Sequence, residues 1–504
     1  MTAPHGYDQP EIYETIDRST ASQIGRGKGS SLDDMYALGI TIMFMMLGHN
    51  PAQHMNTIEL LTEKIDRGTY AAISQSSRVP LPVIELLRGL LSDDEESRWS
   101  LEATEIWIDG RKKPTVQRRS PHKAKAPYTF QGRPHSSPRT LAYAFSLVPE
   151  EAFRTIKADE TFETWVRRSL EDRDLSEKLK GMVEMASRGG SGGQHTPEIV
   201  ISKVCMMLDP AGPIRYKNIS FMIESFGTCF AYDMFHSQSP QTLLEIVTKE
   251  LYEVWIKSQV TSSPDHALWH RQFLRCKSYL KVNELGFGPE RALYELNKRI
   301  PCLSPLIKDE FITHIDDLLP AMDQAASHAE QDSRPIDRHI AGFIGARFSE
   351  DIHPHLRAMA TPEPERSIIG VLSLLAFLQW KLKTSPLYGL SSWLGGLLGP
   401  AISTYHNRKT RKDLEREIPQ LVRKGSLPEL FDLIDNTEQR NEDDSGFLEA
   451  RKEYSEAGEE IASMDGSDGT REENLLRSGQ KAAAMVSIIL SMMIVSILFM
   501  MYDW

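Results

Sequence analysis

"SSLDDMYALGITIMFMMLG", Ser30 to Gly48, decides how the first part of this chain is read. From Met35 onward it is almost wholly apolar, and a helix apolar around most of its circumference is a buried one. Asp34 opens that helix, where a carboxylate accepts backbone N–H groups and complements the positive end of the helix dipole. A carboxylate buried at such a point has to be paired or fully hydrogen-bonded. An amphipathic helix with a capping Asp accounts for the stretch taken alone.

Two further segments follow within a short distance. "NTIELLTEKIDRGTY" predicts an amphipathic helix, and "VIELLRGLLSDDEESRWSLEATEIWIDG" predicts two more helices around an acidic loop. Arg98 stands beside Asp93, Asp94, Glu95 and Glu96, where its planar guanidinium suits a bidentate carboxylate pair. Beyond them, the basic, Pro- and Ser-rich stretch Arg118 to Arg139 reads as a linker whose "PYTFQG" predicts one short strand.

From Leu141 to about Gly345, apolar residues recur at helical spacing with no fixed repeat period. "SRGGSGGQHTPE" is a flexible break within it. Arg366 to Lys412 is the most hydrophobic interior part. Ser367 to Trp380 is too short to span a bilayer comfortably and is expected to pack as core. The alternative lays it on a membrane, with Trp380, Trp393 and Tyr405 at the interface and the cations Arg408, Lys409, Arg411 and Lys412 on anionic lipid.

The last stretch, "KAAAMVSIILSMMIVSILFMMYDW", differs in kind. Ala482 to Met501 is an uncharged apolar run, and as a helix it is roughly 30 Å long, the thickness of a bilayer's hydrocarbon core. Arg471, Arg477 and Lys481 precede it, and only Tyr502, Asp503 and Trp504 follow. The positive-inside rule therefore predicts a tail anchor with the N-terminal bulk cytoplasmic. The N-terminus has no apolar core of a signal peptide.

Composition limits the classes of function. The chain has 504 residues, 40% hydrophobic and 25% charged, as in ordinary globular proteins. A formal net charge of −12 argues against a nucleic-acid partner, which needs a concentrated basic surface. Cys205, Cys229, Cys276 and Cys302 lie far apart without C-x-x-C spacing, so they read as buried free thiols rather than zinc ligands or disulfides. "HPH" at His353 to His355 lacks two further metal ligands and reads as surface histidines. No H-E-x-x-H helix or G-x-S-x-G elbow occurs.

Taken in order, three segments resemble the last helices of a protein-kinase C-lobe. "DDMYALGITIMFMMLGHNP" matches Asp-x-Trp/Tyr-Ser/Ala-x-Gly followed by an apolar helix and Gly-x-x-Pro, with Asp34 and Gly39 at the fixed positions. The segment ending at Arg98 matches Leu-Leu…Asp-x-x-x-Arg. The resemblance implies that Asp34 would hold a catalytic loop from below. It implies that Arg98 pairs with the Glu of an Ala-Pro-Glu motif, whose nearest match here is Gln9-Pro10-Glu11, making Glu11 the candidate partner. The spacing from Glu11 to Asp34 is about ten residues longer than the family's. More loosely, the arrangement is similar to bacterial serine/threonine kinase-like proteins with extra helical domains and a membrane segment.

What a kinase needs for chemistry is missing from the sequence. No Val-Ala-Ile-Lys strand, His-Arg-Asp loop or Asp-Phe-Gly site precedes Asp34, so the phosphate-pairing Lys, the base and the magnesium ligand are absent. "GRGKGSS" precedes a helix and reads as a loop. The expectation is no catalytic, cofactor or metal residue in this chain; ATP and magnesium would bind only through an N-terminal lobe supplied elsewhere. The expected class is mainly α. A partial kinase-like C-lobe (1–113), a linker (114–140), a helical domain (141–345), a second helical region (346–436), an acidic tether (437–480) and the anchor (481–504) follow one another. Three functions fit: the C-terminal part of a membrane-anchored kinase whose first half is lost, a non-catalytic kinase-like scaffold that binds a protein partner through its helical region, or a helical membrane adaptor with an accidental kinase likeness.

Overall fold

The computed structural model describes residues 10–74, 79–110, 123–158, 160–188, 196–236, 240–330, 332–465 and 470–502. Part of the predicted linker (residues 118–122), most of the Gly-rich break (189–195), Gln9, Asp503 and Trp504 lie outside them. The described chain is mainly α-helical, with two short antiparallel hairpins. It divides into two compact units, residues 1–315 with 336–350, and residues 316–335 with 351–504.

The first unit begins with the helices that the opening stretch predicts. Helix α1 (Ser31–Leu47) starts at a capping box in which Ser30 N–H donates to Asp33 Oδ2 at 2.7 Å, and it ends at Gly48 in the left-handed conformation. Helix α2 (Thr57–Arg67) follows its own capping box of Asn56 and Glu59. Helices α3 (Leu81–Leu90) and α4 (Leu101–Ile108) complete this part. Tyr36, Ile40 and Met43 of α1 pack with Leu60, Ile73, Leu87 and Leu91, while Met35 joins Leu86, Leu90, Trp99 and Ala103. Gly39 is required by this packing: a Cβ there would stand 2.8 Å from Leu91 Cδ2 and 2.9 Å from Leu90 Cβ.

Residues 123–137, part of the stretch that reads as a linker, are folded instead. Tyr128–Phe130 (β1) pairs with Arg133–His135 (β2) through a two-residue turn at Gln131 (φ 48°) and Gly132 (φ 73°). The single strand expected there is therefore a hairpin. Tyr128 and Phe130 are buried against Phe145, Phe162 and Trp165, and their aromatic bulk outweighs the surrounding Pro, Ser and Lys. The helix Pro197–Leu208 runs buried through the remainder of the unit. A second hairpin, Ile214–Tyr216 (β3) with Ile219–Phe221 (β4), receives the chain's early residues. Ser22 N–H donates to Ser220 O at 2.8 Å and Met222 N–H to Gly25 O at 2.7 Å. Residues 10–110 thus belong to the same unit as the helical region.

In the second unit the apolar stretch after Arg366 is core. Helix α5 (Pro364–Leu382) buries Ile368, Val371, Leu372, Leu374, Leu375 and Leu378 against the helices His353–Met359 and Leu427–Ile434. Trp393 and Tyr405 are buried as well, and Trp380 alone of the three ring residues is exposed. Gln379 clamps the next turn, donating to Gly425 O at 3.0 Å and accepting from Leu427 N–H at 2.8 Å. Helix α6 (Arg408–Lys424) is basic, and helix α7 (Thr437–Asp465) is acidic. Helix α8 (Thr470–Tyr502) contains one segment long and apolar enough to cross a membrane, Glu472–Met501, and none of it is buried in the protein.

Candidate functional site

The sequence directs attention to Glu11, Asp34, Gly39 and Arg98, and the structure brings only some of them together. Arg98 is almost fully buried. Its guanidinium donates to Ser92 O at 2.9 Å and to Leu32 O at 3.3 Å, pairs with Asp33 Oδ1 at 3.4 Å, and lies 5.4 Å over the Tyr36 ring. It does not pair with Glu11, which accepts from Thr57 Oγ1 at 3.0 Å. Asp34 is exposed, and the work expected of it falls to its neighbour. Asp33, at the third position of the capping box, binds Ser30, Arg18 (3.3 Å) and Arg98. The helix register decides this, since adjacent residues point about 100° apart and only one can face the loop.

Around Tyr36 a buried polar knot joins three helices. Tyr36 Oη is 3.1 Å from Thr69 Oγ1, and Asp93 accepts from both the Thr69 hydroxyl (2.5 Å) and the Thr69 N–H (3.0 Å). Lys64, 1% exposed, donates to the carbonyls of Glu11 (3.1 Å), Ile12 (3.0 Å) and Glu14 (2.9 Å). Burial pushes the Lys64 ammonium down to about 8, with Asp93 and Glu14 opposing that shift. Burial also raises the Asp93 and Glu14 carboxyls, although Thr69 and Arg26 respectively pull them back. The sequence carried a signal for Lys64: it stands on the apolar face with Leu60, Leu61 and Ile65.

A second knot ties the early segment to the helical region. Asp209 accepts from Arg139 at 2.8 Å and Arg215 at 3.0 Å, while Arg139 reaches Asp17 at 2.6 Å and Arg215 reaches Thr20 Oγ1 at 2.9 Å. Burial alone would raise Asp209, but the two guanidinium groups hold it below the usual carboxylate range. Asp17, with one such partner, is raised by burial. Asp17, Arg139 and the Asp209–Arg215 pair come from three distant parts of the sequence, and no spacing could have grouped them.

Each knot ties separate elements of the first unit to one another. Arg215 keeps Nε and Nη1 without a hydrogen-bond partner beside a crevice of about 10 Å³, which Ser146, Ser202 and Lys217 also line. That space admits roughly one water, far less than a nucleotide. A larger hollow of about 360 Å³ lies on α6 between Asp413, Arg416, Glu417, Gln420, Leu421 and Lys424, charged and open on the surface. His406, Asp443 and Asp444 come close together, but Asp443 already accepts from the His406 and Asn407 N–H groups (2.5 and 2.7 Å). His355 is half-buried, 2.8 Å from Ser373 Oγ and stacked on Phe377. All four cysteines are free and buried, and burial lifts each thiol to about 12. That raises them out of nucleophilic range.

Compared with protein-family models, curated proteins and solved structures, the chain matches none.

Proposed function

We propose that this chain is the C-terminal portion of a membrane-anchored, serine/threonine-kinase-like protein, without the ATP-binding and catalytic parts. The observation that carries the reading is the way α1 sits among α3 and α4. Gly39 lets α3 approach, and Arg98, across an acidic loop, closes on the first turn of α1. Gly39 and Arg98, two of the residues that drew the resemblance, thus serve one packed set of helices. A bare face on α1 supports the same reading. Asp34, Leu38 (40% exposed) and Met45 (74% exposed) follow one another along it, as a surface made to be covered by further polypeptide.

In this reading the span in α8 anchors the protein, and Arg471, Arg477 and Lys481 keep its bulk on the cytoplasmic side. ATP and magnesium enter only with a nucleotide-binding lobe that this chain does not hold. A non-catalytic scaffold, with a protein partner on the same bare face, is the second reading.

An antibody against residues near Arg440, used on native membranes, tests the choice. A band well above 57.1 kDa supports a longer kinase-like protein, and it should then bind magnesium-ATP. A band at this mass, with no nucleotide binding, overturns the kinase portion in favour of the scaffold.

A further inference from the structure

From Asp444 to Ala462 every residue of α7 is exposed. A helix with no tertiary cover has to be stabilised by its own side-chain pairs or by a partner. Lys452 and Glu456 form one such pair, at 3.8 Å. The apolar residues are not scattered. Phe447, Ala450, Tyr454, Ala457 and Ile461 follow one another at alternating steps of three and four. That is the heptad spacing that keeps one seam facing a neighbouring helix. Phe447, Tyr454 and Ile461 are 40%, 83% and 59% exposed. The seam starts from a fixed place: Phe447 stacks on His406 at 3.7 Å, and Asp443 is held by the N–H groups of His406 and Asn407.

The next helix carries a second face of the same kind. In α8, Gly479, Ala483, Ser487 and Ser491 recur at every fourth residue, and the positions between Met485 and Ile494 are otherwise large and apolar. Small residues at that interval let two membrane helices approach closely. The two faces lie on consecutive elements and belong to different packing types, so neither implies the other.

We infer that the stalk formed by α7 and α8 pairs with the same stalk of a second copy of this chain, in parallel. The anchor selects this occupant. Two copies held in one bilayer share a direction and a level, which aligns residue 454 with residue 454 and raises their effective concentration. A partner from solution has no such alignment. The seam alone is short, and Glu453 and Glu460 flank it with like charge, so α7 pairs weakly without the membrane helix. The inference rests on α8 being a membrane span.

Disulfide trapping in the full chain, in native membranes, tests it. Tyr454→Cys and Ile461→Cys lie on the seam; Glu456→Cys and Glu459→Cys lie off it. The natural thiols are buried and stay silent. Seam positions are expected to give about tenfold more covalent dimer than the outward ones, and Ala483→Leu with Ser487→Leu to lower that yield. Equal yields at all four positions, or a cross-link to a different protein, overturn the pairing while leaving the anchor intact. Release of the chain by alkaline carbonate overturns the span, and the pairing with it.

Discussion

Helices α5 and α8 both belong to the second unit and are both strongly apolar, yet they have opposite fates. In α5 the large aliphatic side chains are buried on most sides, and the helix carries Ser367 and Gln379 in the interior with every polar group bonded. In α8 Met485, Ile488, Ile489, Leu490 and Met493 stand more than half bare. The difference is one of length and interruption rather than of hydrophobicity. A run that ends after four turns and admits polar residues needs protein around it; one that continues for the thickness of a bilayer without any charge suits lipid.

A charge placed in each helix gives the largest contrast. Leu375→Asp buries an unpaired carboxylate and is expected to cost about 4 kcal/mol or more, read as fast hydrogen exchange throughout α5. Ile489→Asp should leave that exchange unchanged and instead weaken membrane retention by about 3 kcal/mol of insertion free energy. Slow exchange in the first variant would break the comparison. A milder pair follows: Leu374→Ala should cost about 2–5 kcal/mol in denaturant unfolding of the second unit, and Leu490→Ala should change it by no more than about 0.5 kcal/mol. Smaller again is the loss of the clamp. Gln379→Ala leaves Leu427 N–H without its partner and Gly425 O with the Leu387 N–H alone, and should cost about 2 kcal/mol, whereas Ser487→Ala should not register in the same assay.

Charge itself supplies a further test, with buried Lys64 set against exposed Lys481. Lys64 titrates at about 8 in the folded protein, below the roughly 10.4 of an unfolded chain. Between those values only the unfolded chain keeps the proton, so stability from this group rises with pH across that window and is flat below it. Lys64→Met should remove the rise, and Lys481→Met should leave it in place. Urea midpoints taken from pH 7 to 10.5 decide between them.

How much of this was legible in the sequence follows from the range of the interactions. The helical class and the bare terminal span are local properties of composition and period, and both could be read directly. The core role of residues 366–382 could be read too, because a run too short for lipid has one other place to go. Which of two neighbouring carboxylates would serve α1 could not be read from "DD" alone. The usable signal was Ser30-x-x-Asp33, a capping box, and it pointed to Asp33. Trp380 was grouped with Trp393 and Tyr405 by type, yet only burial separates them. The Asp17–Arg139–Asp209–Arg215 knot is set by tertiary contact over nearly two hundred residues, and no local pattern encodes it.

The docking of the early segment on β4 also fixes an order of events. Ser22 meets Ser220 across 198 positions of chain. During synthesis at about 5–20 residues per second, residues 16–27 wait on the order of 10–40 s for the hairpin that receives them. Until then α1 has its neighbours α3 and α4, but Arg18 lacks Glu224 and Asp17 lacks the Arg139–Asp209 pair. Residues 16–27 thus leave the ribosome 198 positions ahead of the strand that receives them, and a nascent chain halted before β3 holds them exposed to chaperones and proteases.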